Sequence, residues 1–243
     1  MTAHYDRMVE QYVAYASCSP TRPIEVRTLL QLAGALEQRD VLDLACGSGY
    51  YGREFLRRGA RSAVGVDQSQ GMIDFARALS AHNDDDMVFH VRDVLDMADI
   101  GTFDIVLAAW LFNYADSPAA LAAMFRAVAR HVKPGGRLVI QTFNPDFRLA
   151  RGDYSAYRVK VIDEQPWQSG ARLELEFPGS PPARIINFRW SRREYDQAIA
   201  AAGFRPAVWH VPQVLDEDIA RHPAGFWNDY IDNCMAVNLV CGR

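Results

Sequence analysis

The sequence predicts an α/β chain built around an open, mostly parallel sheet. Three observations carry this. Strand-length apolar runs alternate with helical patterns through the first 143 residues. A glycine turn, GSGYYG at 47–52, joins the first such run to the helix behind it. Carboxylates (Asp43, Asp67 and Asp93) fall at or near the ends of three successive runs. Alternation of this kind dictates right-handed crossovers and helices on the faces of the sheet. Ligands of such sheets bind beyond the carboxyl ends of the strands, so the loops after the first four strands are where chemistry is expected.

Residues 40–45 (DVLDLA) are nearly continuously apolar, as a strand buried on both faces requires. Residues 50–58 follow in helical pattern, 62–66 give a second strand, and 69–80 a helix with Ser69 as N-cap. Third and fourth strands are expected at 87–91 and 103–109. Ser117-Pro118 opens a helix running to Val132, with proline in the first turn, where its missing N–H costs nothing. Pro134-Gly135-Gly136 turns into a fifth strand at 137–143.

The rhythm then breaks. Segments 154–163, 171–177 and 184–190 read as three strands with no helix between them, separated by Pro166, Gly170 and the turn cluster at 178–182. This predicts an antiparallel insertion. A helix at 191–202, a strand at 204–211 and a last strand at 235–241 close the chain, and residues 5–36 read as helices outside the sheet. A length of 243 residues suits one domain. Its expected parts are a helical lid (1–38), a ligand-binding core (39–144), a substrate-side insertion (145–190) and a C-terminal helix with strands (191–243).

The formal net charge of −4 argues against a nucleic-acid binder working by bulk charge. Cys18, Cys46, Cys234 and Cys241 show no zinc-ligand spacing and read as small buried side chains in a reducing compartment. No metal site is expected, and the run Asp84-Asp85-Asp86 reads as a solvated turn. The apolar run 105–112 is too short to cross a bilayer and no signal peptide is visible, so the expected location is cytoplasmic.

GSGYYG formally matches the dinucleotide fingerprint, which taken alone suggests a nicotinamide enzyme. Asp43 points elsewhere. A carboxylate there is a like-charge neighbour of a pyrophosphate but attracts a ligand carrying an ammonium and a sulfonium. S-adenosylmethionine is such a ligand. Asp67, 20 positions after Gly47, suits the ribose hydroxyls of either cofactor. Asp93 and Val94 suit an adenine amino group and the ring beside it.

The segments VLDLACGSG (41–49), VGVDQSQGMIDFAR (64–77), RDV (92–94), FDIVLAAW (103–110) and KPGGRLVI (133–140) resemble, in order, the motifs of class I S-adenosylmethionine-dependent methyltransferases. REYDQAIAAAGF (193–204) matches that family's pre-terminal helix. The resemblance implies a Rossmann-like seven-stranded sheet whose last strand is antiparallel. It also implies that Gly47 and Gly49 pack against the methionine part, that Asp43 orders it, and that Tyr12 reaches its carboxylate. Asp67 and the adjacent Gln68 fall to the ribose, Met72 covers the adenine, Asp93 and Val94 read its edge, and the Ala109 backbone faces the methionine chain. Ala45-Cys46 stands where the family more often has Gly-Cys, and the Asn/Asp-Pro-Pro-Tyr motif of nucleic-acid methylases is missing after the fourth strand, so DNA methylation is rejected. A more distant similarity, through a HYD…Y start and AAWLFNYA (108–115), is to toxoflavin-synthase-like N-methyltransferases.

Displacement on a sulfonium needs approach geometry and water exclusion, with a general base only where the nucleophile keeps its proton. The acceptor is expected to be a small aromatic or heteroaromatic molecule of secondary metabolism, N-methylation being favoured over O- or C-methylation. Substrate contacts are sought at Trp110, Asn113, Tyr114, Asn144, Phe147, Tyr154 and Trp167. Trp110 and Tyr114, four apart, equally suit core neighbours on a helical turn, and Asn113 and Asn144 suit caps. Tyr114 and His210 are the weak catalytic candidates; Tyr195 reads as structural, and His82 and His131 as surface residues at helix ends. The alternatives left open are a nicotinamide-dependent oxidoreductase, a non-catalytic adenosylmethionine-binding protein, and methylation of RNA or protein. The sequence leaves the oligomeric state open.

Overall fold

The computed structural model describes residues 9–179 and 181–243. His4 and the start of the predicted helical lid lie outside the described residues. Helices α1 (Val9–Cys18) and α2 (Arg22–Ala33) precede the sheet. There follow β1 (Asp40–Leu44), α3 (Tyr50–Arg57), β2 (Ser62–Asp67), α4 (Gln70–Asn83), β3 (Val88–Val91) and β4 (Phe103–Ala109). A 3-10 turn, Phe112–Tyr114, leads to α5 (Pro118–Ala129) and β5 (Val132–Phe143). The insertion holds β6 (Lys160–Trp167), β7 (Gly170–Phe177) and β8 (Ala183–Arg189). The chain closes with α6 (Arg192–Ala201), β9 (Val208–His210), α7 (Asp216–Ile219), α8 (Asn228–Asp232) and β10 (Ala236–Gly242).

The main sheet has seven strands in the order β3-β2-β1-β4-β5-β10-β9, and β10 runs antiparallel to both its neighbours. β1 pairs in parallel with β2 on one side and β4 on the other, which places the switch point at its end. Successive residues of a strand face opposite sides, and both sides are covered. Leu42, Val106 and Ile140 pack under α5 and α6, while Val41, Ile105 and Val139 pack under α2, α3 and α4. That is why these strands read as continuous apolar runs. A third cluster joins the insertion to the C-terminal helices through Tyr157, Leu173, Trp227 and Tyr230.

The three-stranded insertion, ordered β6-β7-β8, pairs antiparallel throughout. Its first strand starts at Lys160 and not at 154, because Ser155–Tyr157 forms a 3-10 turn and Arg158 turns left-handed at φ +64°. β6 continues through Pro166, which an edge strand tolerates because the missing N–H faces away from the ladder. β5 begins at Val132, five residues early, and the strand expected at 204–211 shrinks to Val208–His210. Ser69 does cap α4, its hydroxyl accepting from the Met72 amide at 3.2 Å.

Two polar readings are corrected. Asp85 is no solvated turn residue: it binds the buried Arg53 at 2.6 Å and the Ser80 hydroxyl at 2.6 Å. His131 is buried, with Nδ1 at 2.7 Å from the Gly101 carbonyl. Cys46, Cys234 and Cys241 are buried as expected, and Cys18 is exposed.

Candidate active site

A cavity of about 280 Å³ opens beyond the carboxyl ends of β1, β2 and β4 and runs beneath the insertion. It brings together Tyr12, Gly47, Asp67, Gln68, Met72, Asp93, Val94, Ala109, Trp110, Asn113 and Tyr114, all expected from the sequence.

The turn after β1 shapes one wall. Ala45 and Gly47 both have positive φ, +54° and +51°, the region that favours glycine. The Gly47 amide donates to Asp67 Oδ2 at 2.9 Å, and the Ser69 amide to Asp67 Oδ1 at 2.9 Å. Asp67 thus ties the glycine turn to the start of α4 while lining the cavity. A Cβ built on Gly47 would stand 3.8 Å from the Tyr12 ring, so α1 lies directly over this turn. On the other strand ends, Asp93 Oδ1 accepts from the Leu95 amide at 2.8 Å, leaving its second oxygen toward solvent and cavity.

α2 supplies a polar cluster that the sequence reading missed. Glu25, buried, accepts from Tyr51 OH at 2.7 Å and from Thr21 Oγ1 at 3.0 Å. The Arg22 guanidinium lies 4.6 Å from the Tyr50 ring centre and 5.1 Å from that of Tyr51. Burial works against the charge of Arg22, but Tyr51, Tyr12 and Glu25 around it hold the guanidinium above its ordinary pKa. Burial likewise raises the Tyr12 phenol. The available signal was Glu25 itself, an acid four residues before the buried Leu29 on the packed face of a helix.

The far wall is apolar and comes from the insertion and its neighbours: Phe143, Val159, Leu175, Phe177 and Ile185. Tyr15 of α1 sits 4.4 Å from the Phe177 ring centre, so the N-terminal helix and the insertion meet over the cavity. Trp110 packs edge-on against Phe143 at 5.3 Å, from a left-handed backbone of φ +59° that is uncommon for a bulky residue. Its four-residue spacing from Tyr114 is therefore not a helical core pair.

Several expected residues lie elsewhere. Asp43 does not line the cavity. It is 1% exposed, accepts from the Gly52 amide at 2.9 Å, and leaves Oδ1 without a partner among the described residues. Burial pushes its carboxyl up to about 7. Gly52 matters here because a side chain on it would collide with Met87 and crowd the same carboxylate at 3.2 Å. Gly49, at φ +77°, starts α3 with its Cα facing Phe89, outside the cavity. Asn144 is turned into the core, donating to the Cys234 carbonyl at 3.0 Å, and Phe147 is buried with Tyr154. Tyr154 OH donates to the Asn233 carbonyl at 2.8 Å and borders only a small side chamber. Trp167 is on the surface, its indole donating to the Asp116 carbonyl at 2.8 Å. His210 stands on the outermost strand, β9, and none of the histidines among the described residues lines the cavity. Tyr195 is structural, hydrogen-bonded to Thr142 at 2.7 Å.

A crevice at the switch point, with carboxylates at two strand ends and a half-buried arginine against Tyr50 and Tyr51, suits an enzyme that holds a nucleoside cofactor. The pattern of a family described as a methyltransferase domain matches residues 41–136. The chain is 32% identical over 177 residues to the ubiquinone biosynthesis O-methyltransferase of Xanthomonas oryzae pv. oryzae, covering 65% of this chain and 70% of that one. It is 34% identical over 120 residues to the cypemycin N-terminal methyltransferase of a Streptomyces species, covering 49% of this chain and 48% of that one. It spans 60% of the length of the ubiquinone biosynthesis O-methyltransferase of Alkalilimnicola ehrlichii, at 29% identity. The crystal structure of an S-adenosylmethionine-dependent methyltransferase from Clostridium acetobutylicum shares the fold at TM-score 0.63 and 15% identity, over 90% of this chain and 89% of that one. The chain belongs to the class I S-adenosylmethionine-dependent methyltransferases. Its cofactor is S-adenosylmethionine, in place of the nicotinamide alternative, and it is an enzyme. No helix among the described residues is long and apolar enough to cross a membrane.

The donor set fits that cofactor. Asp67 and Asp93 offer acceptors for ribose hydroxyls and an adenine amino group, Met72 and Val94 offer apolar surface, and Arg22 with Tyr12 offers donors for a carboxylate.

Proposed function

We propose that this enzyme methylates a small, uncharged aromatic or heteroaromatic metabolite, on nitrogen in preference to oxygen or carbon. The observation that carries this reading is the division of the cavity. Every charged side chain lining it comes from the strand-end loops or from α2, whereas the insertion contributes apolar residues and one amide. The cofactor supplies an electrophilic methyl on a sulfonium that leaves without assistance. Tyr12 and Arg22 bind the methionine carboxylate, Asp67 and Gln68 the ribose, and Met72, Asp93 and Val94 the adenine. The Ala109 backbone flanks the methionine chain. Trp110, Asn113 and Tyr114 present the acceptor, and α1 with the insertion forms the lid that excludes water. A neutral ring nitrogen attacks with its own lone pair and needs no base, which suits a wall of apolar and amide groups.

Two experiments test this. Calorimetry should show Arg22→Met weakening S-adenosylmethionine by about 1.5–3 kcal/mol, the scale of a hydrogen bond to a charged group, while decarboxylated S-adenosylmethionine binds both proteins alike. Equal losses for the two ligands would remove Arg22 from the carboxylate. Methyl-labelled cofactor offered with matched bicyclic amines, ring N–H compounds and phenols should give products whose carbon shifts mark an N-methyl group. Transfer confined to phenols would establish oxygen as the acceptor.

A further inference from the structure

Two asparagines of the cavity stand out from the apolar wall around them. Asn113, in the 3-10 turn after β4, is 1% exposed, and Asn187, on β8, is 2% exposed. Both line the cavity, and Asn113 Oδ1 and Asn187 Nδ2 have no hydrogen-bond partner among the described residues. They come from segments more than seventy residues apart that pack directly against each other. A buried carboxamide atom without a partner costs about 1–3 kcal/mol, so two of them on one cavity call for an occupant that pairs them. Nothing structural demands amides here. Ile185, two positions earlier on the same face of β8, is apolar, and Phe143 and Trp110 nearby are aromatic.

We infer that Asn113 and Asn187 read the polar edge of the acceptor, and that this edge is amide-like: a ring –NH– beside a carbonyl, as in a lactam or imide fused to an aromatic system, which keeps its proton and is distinct from the nitrogen that takes the methyl. A carboxamide presents one donor and one acceptor. Two of them on one cavity complement a ring that offers one donor and one acceptor side by side, and they reject a hydrocarbon of the same shape by being left unpaired. A charged acceptor is disfavoured because Val159, Leu175, Phe177 and Ile185 offer it no counter-charge. The turn bearing Asn113 is held in place from the insertion side. Trp190 Nε1 donates to the Ala115 carbonyl at 2.9 Å and Trp167 Nε1 to that of Asp116 at 2.8 Å, tying the segment after Asn113 to the side of the molecule that carries Asn187.

This inference rests on the proposed acceptor side, and its test separates the two. Protein saturated with S-adenosylhomocysteine is titrated with 2-quinolone, with 1-methyl-2-quinolone, which lacks the donor, and with naphthalene. Saturation itself reports the cofactor site. The expected result is 2-quinolone binding at least about tenfold tighter than either analogue. That preference should collapse in Asn113→Leu and in Asn187→Leu, while their S-adenosylhomocysteine affinity stays within twofold and so certifies the fold. Asn187→Ser replaces the leucine variant if the latter does not bind S-adenosylhomocysteine. Two results overturn the inference: naphthalene binding as tightly as the lactam, or no lactam binding to the loaded protein. A lactam preference that survives both substitutions removes the asparagines from the role. Failure to bind S-adenosylhomocysteine at all would strike the cofactor assignment instead.

Discussion

Asp43 stands at a strand end beside the cavity but turns its carboxyl under α3, onto the Gly52 amide. Its unfolded value is 3.8 and its folded value about 7, raised first by burial. Between these the unfolded chain has released a proton that the folded chain keeps, so its contribution to stability falls as pH rises through the window and is flat above about 7. Asp43→Asn keeps an acceptor for the Gly52 amide and removes the titration. Urea unfolding should therefore show the variant gaining on the wild type by roughly 1–4 kcal/mol between pH 4.5 and pH 8. A gap independent of pH would mean that the carboxyl is not held in its protonated form. Asp67 is half-buried and engaged by two backbone amides. Asp67→Ala should weaken S-adenosylmethionine by roughly 1–3 kcal/mol in calorimetry, through the lost ribose contact and the loosened turn together. The spacing of Asp67 and Asp93 made both legible in the sequence. Asp43 was legible as a strand-end acid, but whether its side chain turned to the cavity or under α3 depended on Gly52, whose missing side chain admits it.

At the scale of elements, the sheet was readable because each central strand is apolar on both faces and each helix carries its own punctuation. Ser69 is the clearest instance. Ser69→Ala should cost about 1 kcal/mol in unfolding free energy and fray the turn that presents Met72, a loss measurable by denaturant titration. The insertion was harder. On β8 the inward positions are Ile185, Asn187 and Arg189, and the outward ones include Ile186 and Phe188. Hydrophobic alternation alone inverts that assignment, since Arg189 turns inward to meet Glu164 at 2.8 Å. The residues of 154–159 escaped for a related reason: their tyrosines are apolar enough for a strand but spend their hydroxyls on backbone carbonyls of the segments flanking α8, as Tyr157 does on the Phe226 carbonyl at 2.7 Å. The tie between Trp167 and Asp116 predicts that Trp167→Ala, although the residue is 38% exposed, destabilises by about 1–2 kcal/mol by losing both the hydrogen bond and the contact with Phe188.

For the molecule as a whole, the cavity is closed by parts remote in sequence. α1 reaches Phe177 on β7 and lies over Gly47 at the same time. Removing residues 1–18 should leave the far-ultraviolet spectrum of the sheet intact, since none of its strands pairs with α1. Affinity for S-adenosylmethionine should fall at least about tenfold with the loss of Tyr12 and the cover it provides. Unchanged affinity would show that the helix is not a lid. A lid of N-terminal helices was expected from the sequence, but its particular contacts were not legible there, because that between Tyr15 and Phe177 is set by how two separate segments fold over each other and by no local pattern.

The two sheets share no strand pairing: loops at the ends of the seven-stranded one line one part of the cavity, and the three-stranded one lines another. On the proposed reading, a heritable change of acceptor draws on β7 and β8 together with the turn that bears Asn113, while Phe177, in contact with α1, is the position of the insertion where such a change also reaches the cover over the glycine turn.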